Sequence, residues 1–445
     1  MPFLTEEQAK ALMTKVLSYS KADECEVNLS FSDGGNIRYA RNAVSTSGAI
    51  GQSSLVVSSA YGKKLGVATI NEFDDASLEK VVRRAEELAH LAPENPEYMP
   101  MLGPQVYAAP TKTFEPATAA IDAKFRADAT QQSLKVSEDN KLVAAGYLEN
   151  SAGFNAMMNS HGLFAYNTST NVNFSVTLRS PDGKGSGYAT KGYTNVAQLD
   201  VAAATRVAAQ KAAASVDARA LEPGKYTVIL EPAAGVVLLE YIGQGMDARS
   251  TDEGRSFLSK PGGASKLGEK LMDERVTIYS DPANSILPTS VWTGDGRPQE
   301  KVTWVDKGVI KNLSYSRYWA EKKKVKAVPG PDAFIMDGGN QTLEQLIAST
   351  EKGILVTRLW YIRMVDPQSL LLTGLTRDGT FYIENGKIKF PVKNFRFNES
   401  PVIMLNNLDA LGIPERVVSG ESFQHAVVPP MRIRDFTFSS LSDAI

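Results

Sequence analysis

Apolar and polar residues recur along this chain with two periods, and the switches between them predict its elements. Thr5-Glu6-Glu7-Gln8 reads as a capping box, and Ala9, Leu12, Met13, Val16 and Leu17 form one stripe at helical spacing. Glu26 to Phe31 alternates like a half-buried strand. Asp33-Gly34-Gly35 reads as a hairpin turn, and Ile37 to Ala43, Ser53 to Ser59 and Leu65 to Ile70 read as further short strands. Asp74 opens a second helix with Leu78, Val81, Val82, Ala85, Leu88 and Ala89 on one face. The order predicts an N-terminal α+β domain over 1–92, with helices on one face of an antiparallel sheet.

Periodicity then stops. Pro93, Pro96, Pro100, Pro104, Pro110 and Pro116 make 93–116 a semi-rigid linker. A middle helix-strand (α/β) region over 117–222 follows. Its predicted helices run from about Ala117 to Val136 and from Val196 to Val216, the second capped by Asn195. Between them, Leu142 to Tyr147 and Phe154 to Met158 read as two strands, Asn159-Ser160-His161-Gly162 as a turn. Val172, Phe174, Val176 and Leu178 give the cleanest alternation in the chain. Residues 223–445 are rich in short strands. Val302 to Leu313 folds back at Asp306-Lys307-Gly308, and Thr380 to Val392 at Asn385-Gly386, which predicts a closed or nearly closed antiparallel barrel.

One stretch in this region changes period midway. Thr227 to Leu230 is a β-branched, apolar strand, whereas Ala233 to Ile242 is apolar enough to be a buried helix packed against the barrel. Glu240 interrupts it. A carboxylate there is either at the helix surface, paired with a cation such as Arg249, or used.

Composition narrows the function classes. Forty-three per cent hydrophobic and 22% charged residues are those of a globular protein, and 445 residues suffice for two or three cores. A net charge of −2 gives no footprint for nucleic acid, and the basic run Lys322 to Lys326 is short and local. One cysteine, Cys25, fits a reducing compartment, and the first residues lack the basic and apolar pattern of a secretory signal. No run is long enough for a membrane helix. A cytoplasmic protein is expected.

Leu239-Glu240-Tyr241-Ile242-Gly243-Gln244, with Gly243-x-Gly245, resembles the central helix of the TldD/PmbA family, metallopeptidase homologues once labelled modulators of DNA gyrase. Thr373 to Ile388, Pro391 to Asn398 and Pro429 to Ile433 carry the resemblance further, and an Arg-containing strand pair matches at Arg38 and Arg41. Active members hold zinc with a His-Glu-x-x-x-His helix and a Cys near the C-terminus. Here Glu240 keeps the general-base position, but Leu239 and Gln244 stand in the two histidine positions, and Gly420 to His425 contains no Cys. The resemblance therefore implies the PmbA (TldE) branch: no bound metal, a peptide groove, and pairing with a TldD-like His-Glu-x-x-x-His subunit or as a homodimer. Unfolded or short peptides are the expected substrate. Arg377 and Asp378 are candidates for lining that groove, or form a structural pair beside a turn at Gly379. An active peptidase with a rearranged site, using His425 with Glu240, and a regulatory binder of the gyrase-modulator kind are the alternatives.

Overall fold

The computed structural model describes residues 3–422 and 424–442; Met1, Pro2, Phe423 and the last three residues lie outside the description. The chain opens with α1 (Glu6–Ser18), whose Thr5–Gln8 capping box forms as predicted, followed by β1 (Glu24–Ala40), β2 (Ala43–Tyr61), β3 (Lys64–Ile70) and α2 (Asp75–Leu91), capped by Asp74. After the proline-rich segment come α3 (Pro116–Ala119), α4 (Ala123–Asp139), β4 (Val143–Asn159), β5 (Phe164–Arg179), β6 (Ser186–Tyr193) and α5 (Val201–Ala214). These strands make one antiparallel sheet in the order β3-β2-β1-β4-β5-β6, so residues before and after the proline-rich segment share it.

Two predicted breaks are absent. Asp33-Gly34-Gly35 lies within β1, paired on both sides, and the residues from Leu148 to Gly153 continue β4. The glycines serve close packing instead of turning. A Cβ on Gly34 would meet the Asn150 carbonyl at 2.0 Å, and one on Gly35 the Arg126 guanidinium at 2.5 Å. The hairpin turns at Arg41-Asn42, both at positive φ (53° and 58°). Two predicted helices are also shorter: Asp122 caps α4 and Asp200 caps α5, while Asn195 caps a separate 3-10 turn.

Alternation gives the sheet two unlike faces. Cys25, Val27 and Leu29 pack under α1 and α2, and Ile37 and Tyr39, on the same side of the same strand, pack under α4 and α5. The opposite face carries Asn28, Ser30, Asn155, Asn167 and Asn173 and looks toward the rest of the chain across cavities.

The C-terminal part begins with β7 (Gly224–Leu230) and α6 (Pro232–Gln244). It continues through β8 (Ile278–Ser280), β9 (Val302–Asp306), β10 (Val309–Ile310), β11 (Ile335–Met336), β12 (Lys352–Asp366) and β13 (Leu371–Glu384). The last strands are β14 (Lys387–Pro391), β15 (Phe395–Glu399), β16 (Leu408–Leu411), β17 (Glu415–Val418), β18 (His425–Val428) and β19 (Met431–Leu441). β12-β7-β19-β15-β13 closes into a barrel through a β12–β13 pairing. All its seams are antiparallel except β7–β12, where the long excursion through α6 leaves room for a parallel return. A second sheet runs β10-β9-β8-β11-β18-β17. α6 is buried in the core shared by the barrel and this sheet, among Val228, Trp304, Ile354 and Val428. Among the described residues no helix is long and apolar enough to cross a membrane.

Candidate functional site

Pro232 starts α6 at a position where its missing N–H costs nothing. Glu231, just ahead of it, accepts from Lys211 Nζ at 2.6 Å and from Thr357 Oγ1 at 3.1 Å, which ties the helix start to α5 and β12. From Ala234 to Leu239 the helix is buried all round, and Gly243 lets it pass the Phe334 ring, which a Cβ would meet at 2.1 Å.

Glu240 emerges from this core half-buried. Its Oε1 accepts from Ser422 Oγ at 2.7 Å and its Oε2 from Ser419 Oγ at 3.2 Å. Burial pushes its carboxyl above the usual range; the two hydroxyls pull it back, and the neighbouring Glu421 pushes it up again. Arg249 does not pair with it. That guanidinium is bound to Glu97 and Glu253 instead, on the far side of the helix end where the chain turns into Asp247. Asp247 and Asp252 have structural partners of their own: Asp247 caps the next short helix, and Asp252 takes Trp319 Nε1 at 2.8 Å and Lys323 at 3.0 Å.

The two positions flanking Glu240 lie in different surroundings. Leu239 is 3% exposed and part of the core, whereas Gln244 is exposed at the helix end. Catalytic zinc needs three nitrogen, sulfur or oxygen ligands converging on one point. Among the described residues no group of three or more His, Cys, Asp and Glu converges in this way. His425 is no substitute ligand: its Nδ1 accepts from Arg416 Nη2 at 3.1 Å, and burial with that cation pulls its pKa down to about 4. The residues here do not fit zinc. His90 stacks on Tyr61 and His161 bonds Met101 and Glu24, both away from α6. Cys25 is buried, and burial more than its acidic neighbours raises its thiol pKa.

Arg377-Asp378-Gly379 does not form a surface loop or turn. The three residues sit inside β13 at an irregularity opposite β12, with Asp378 at φ 55°. Asp378 is 2% exposed; it accepts from Ser186 Oγ at 2.5 Å and from Arg358 Nη1 at 3.1 Å, joining β6 to the barrel. Arg377 lies 4.0 Å over the Trp360 ring, and Asp378 lines a cavity of about 500 Å³ with Lys184 and Lys393.

A larger cavity, about 620 Å³, is lined in part by Ser419, which holds Glu240. The polar sheet face supplies Arg38, Tyr147, Glu149 and Asn173; the C-terminal part supplies Arg358, Ser419 and Gly420. Glu149 is held by Tyr147 and Asn173, and Arg358 stacks 4.1 Å over Tyr188. Arg41, in the hairpin turn next to Ala40, does not line this cavity. The Ser419 hydroxyl thus stands between the cavity and the Glu240 carboxylate. Two more cavities, each about 300 Å³, follow the same sheet face past Asn155 and Asn167. Sequence reasoning missed Ser419, Ser422, Arg358 and Arg416. The only trace was that three of them flank or lie within the segment around His425.

Comparison with known proteins agrees with this architecture. Residues 25–89 match the sequence profile of PmbA/TldA metallopeptidase domain 1, 117–216 the central domain and 223–440 the C-terminal domain. A metalloprotease of Methanothermobacter thermautotrophicus is 24% identical over 311 residues, and one of Archaeoglobus fulgidus is 32% identical over 108. Those alignments span 63% and 24% of this chain, and 66% and 24% of the relatives' own lengths. TldE from Thermococcus kodakarensis superposes with a TM-score of 0.87 at 17% identity, covering 97% of this chain and 99% of that one. A crystal structure of a putative modulator of DNA gyrase from Thermotoga maritima gives 0.85 at 16% identity, covering 97% and 100%. With all three domain profiles matched in order along its length, this chain belongs to the PmbA/TldD metallopeptidase family.

Proposed function

We propose that this chain is a non-catalytic, cytoplasmic subunit of a peptide-processing assembly. It forms part of a peptide channel and pairs with a TldD-like subunit carrying the His-Glu-x-x-x-His helix; alone it is a homodimer. One observation carries the reading. The helix that would hold zinc keeps its scaffold and Glu240, but Leu239 is core, Gln244 faces solvent, and Glu240 is occupied by two serine hydroxyls, one of which lines the neighbouring cavity. Without a metal-bound water, Glu240 has no activated nucleophile to deprotonate. It remains an acceptor for a peptide N–H or amine. The cavities along the sheet face carry amides and hydroxyls among apolar groups, which suits an extended peptide, and β17, an edge strand ending at Val418, offers unpaired backbone groups beside them.

The test uses the purified chain alone and mixed with a TldD-like protein from the same organism. Light scattering should show a homodimer alone and a mixed oligomer with the partner. Elemental analysis should show substoichiometric zinc in the chain alone, and a peptide library should be cut only when the partner is present. Stoichiometric zinc, or cleavage by the chain alone that disappears in Glu240→Gln, overturns the reading.

A further inference from the structure

Arg416 on β17 carries a buried charge that makes no ion pair among the described residues, although it is only 8% exposed. Its Nη1 donates to Thr194 Oγ1 at 3.2 Å and to the Ile286 carbonyl at 3.1 Å; its Nη2 donates to His425 Nδ1 at 3.1 Å. Nε makes no hydrogen bond. The acceptors are neutral, because His425 stays unprotonated at pH 7. Burial lowers the guanidinium only to about 10, so Arg416 remains a cation. Desolvated arginines are ordinarily paired with an anion, since an unanswered charge in a low dielectric is costly.

Arg416 and His425 line a cavity of about 300 Å³ on the polar sheet face. Asn155, Asn167 and Asn171 contribute neutral amides to the same wall, and Asp332 contributes a carboxyl. That carboxyl does not serve Arg416: burial pushes it up and Gln299 pulls it back, with no pull from the guanidinium. The cavity therefore offers one unanswered cation, amide donors and space.

We infer that this cavity is a carboxylate-binding site, and that its occupant is the free C-terminus of a short peptide lying in the channel. The peptide as source of the carboxylate rests on the function proposed above; the site itself does not. A carboxylate supplies the missing counter-charge, and charge-assisted bonds to a guanidinium that the fold has already desolvated are strong. An acidic side chain presents the same group, and the two sources are separable by experiment.

His425 is the reporter, because it bonds Arg416 directly and is one of only three histidines. The full chain with ¹³C-labelled histidine is titrated at constant ionic strength with four probes: sodium acetate, tetraalanine, tetraalanine amide, and a tetrapeptide amide containing one Asp. Acetate and tetraalanine should shift the His425 resonance saturably and leave His90 and His161 in place, while tetraalanine amide should have no effect. Affinity should fall about tenfold or more in Arg416→Gln, the loss expected when a charged hydrogen-bond partner is removed. A shift from the Asp-containing amide that equals tetraalanine's supports the carboxylate site but overturns the C-terminus as its occupant. A response to acetate and to neither carboxylate peptide upholds the site and overturns the peptide-channel reading. No shift from any probe, or equal shifts from tetraalanine and its amide, overturns the site. The wild-type titrations decide this even if Arg416→Gln fails to fold.

Discussion

At Glu240 the surroundings of a single carboxylate set its proton affinity. Its carboxylate leaves an apolar helix, accepts two serine hydroxyls, and has Glu421 nearby. The net effect is a folded-state pKa above that of the unfolded chain, with burial as the largest cause. The folded protein thus holds this proton at pH values where the unfolded chain has lost it. The stability this contributes is complete below the unfolded pKa and disappears as pH rises through the folded one. Glu240→Gln cannot titrate, so its melting temperature should rise relative to wild type between pH 4 and pH 8. His425 has the opposite sign, because its depressed pKa costs stability as pH falls from 6.5 toward 4. The comparison must therefore be between the two proteins at each pH, by thermal melts. A difference that stays flat, or shrinks as pH rises, would mean that Glu240 is solvated like a surface carboxylate.

At the scale of elements, α6 was legible because its composition permits little else: ten residues with one carboxylate and no polar stripe must be buried on nearly every side. Its surroundings were not legible. Gly243 is small because Phe334 packs on it, and Gly34 and Gly35 are small because Asn150 and Arg126 do; these partners lie far away in sequence, and a Gly-Gly pair in isolation signals a turn. Arg416 was illegible for the same reason, since nothing in the sequence says that Thr194 and His425 will enclose it. The contrast between Leu239 and Gln244 gives a direct test. Five residues along a helix separate them by about 140° around its axis. Leu239→His should cost about 2–5 kcal/mol, through lost packing and a buried polar ring. Gln244→His, at an exposed site, should change stability by less than about 0.5 kcal/mol. The double variant should bind zinc weakly, because a third ligand and the partners that orient each ring are missing. Denaturant unfolding and calorimetric zinc titration measure both effects. Tight, stoichiometric zinc binding at unchanged stability would show that Leu239 faces a ligand site and not the core.

At the scale of the molecule there are three large bodies of apolar packing, two between the first sheet and its helices and one around α6 and the barrel, and the surface between sheet and barrel is hollow, bridged by a small apolar cluster of Met157, Leu163, Ala165, Val291 and Trp292. A hollow interface gains less hydrophobic stabilisation than a packed one, so the polar links across it matter, among them Lys211 to Glu231, Thr194 to Arg416 and Ser186 to Asp378. Ser186 to Asp378 to Arg358 is the most buried of these. Asp378 has a side chain 1% exposed and Arg358 one 15% exposed, and the first sheet meets the barrel through them. Removing Asp378 leaves Arg358 buried without its counter-charge, a loss of about 3–5 kcal/mol when one partner of such a pair is deleted. Both partners of the ion pair belong to barrel strands, β12 and β13, so that cost falls on the barrel, while the seam loses the bond from Ser186. Asp378→Ala should therefore lower the melting temperature of the barrel, whereas Ser186→Ala, which leaves the ion pair in place, should cost about 1 kcal/mol and weaken only the seam. Scanning calorimetry of the two variants separates the effects: the main endotherm should shift down clearly in Asp378→Ala and little in Ser186→Ala. Equal shifts in the two variants would mean that Asp378 acts through its bond to the first sheet and that the barrel does not depend on the pair with Arg358.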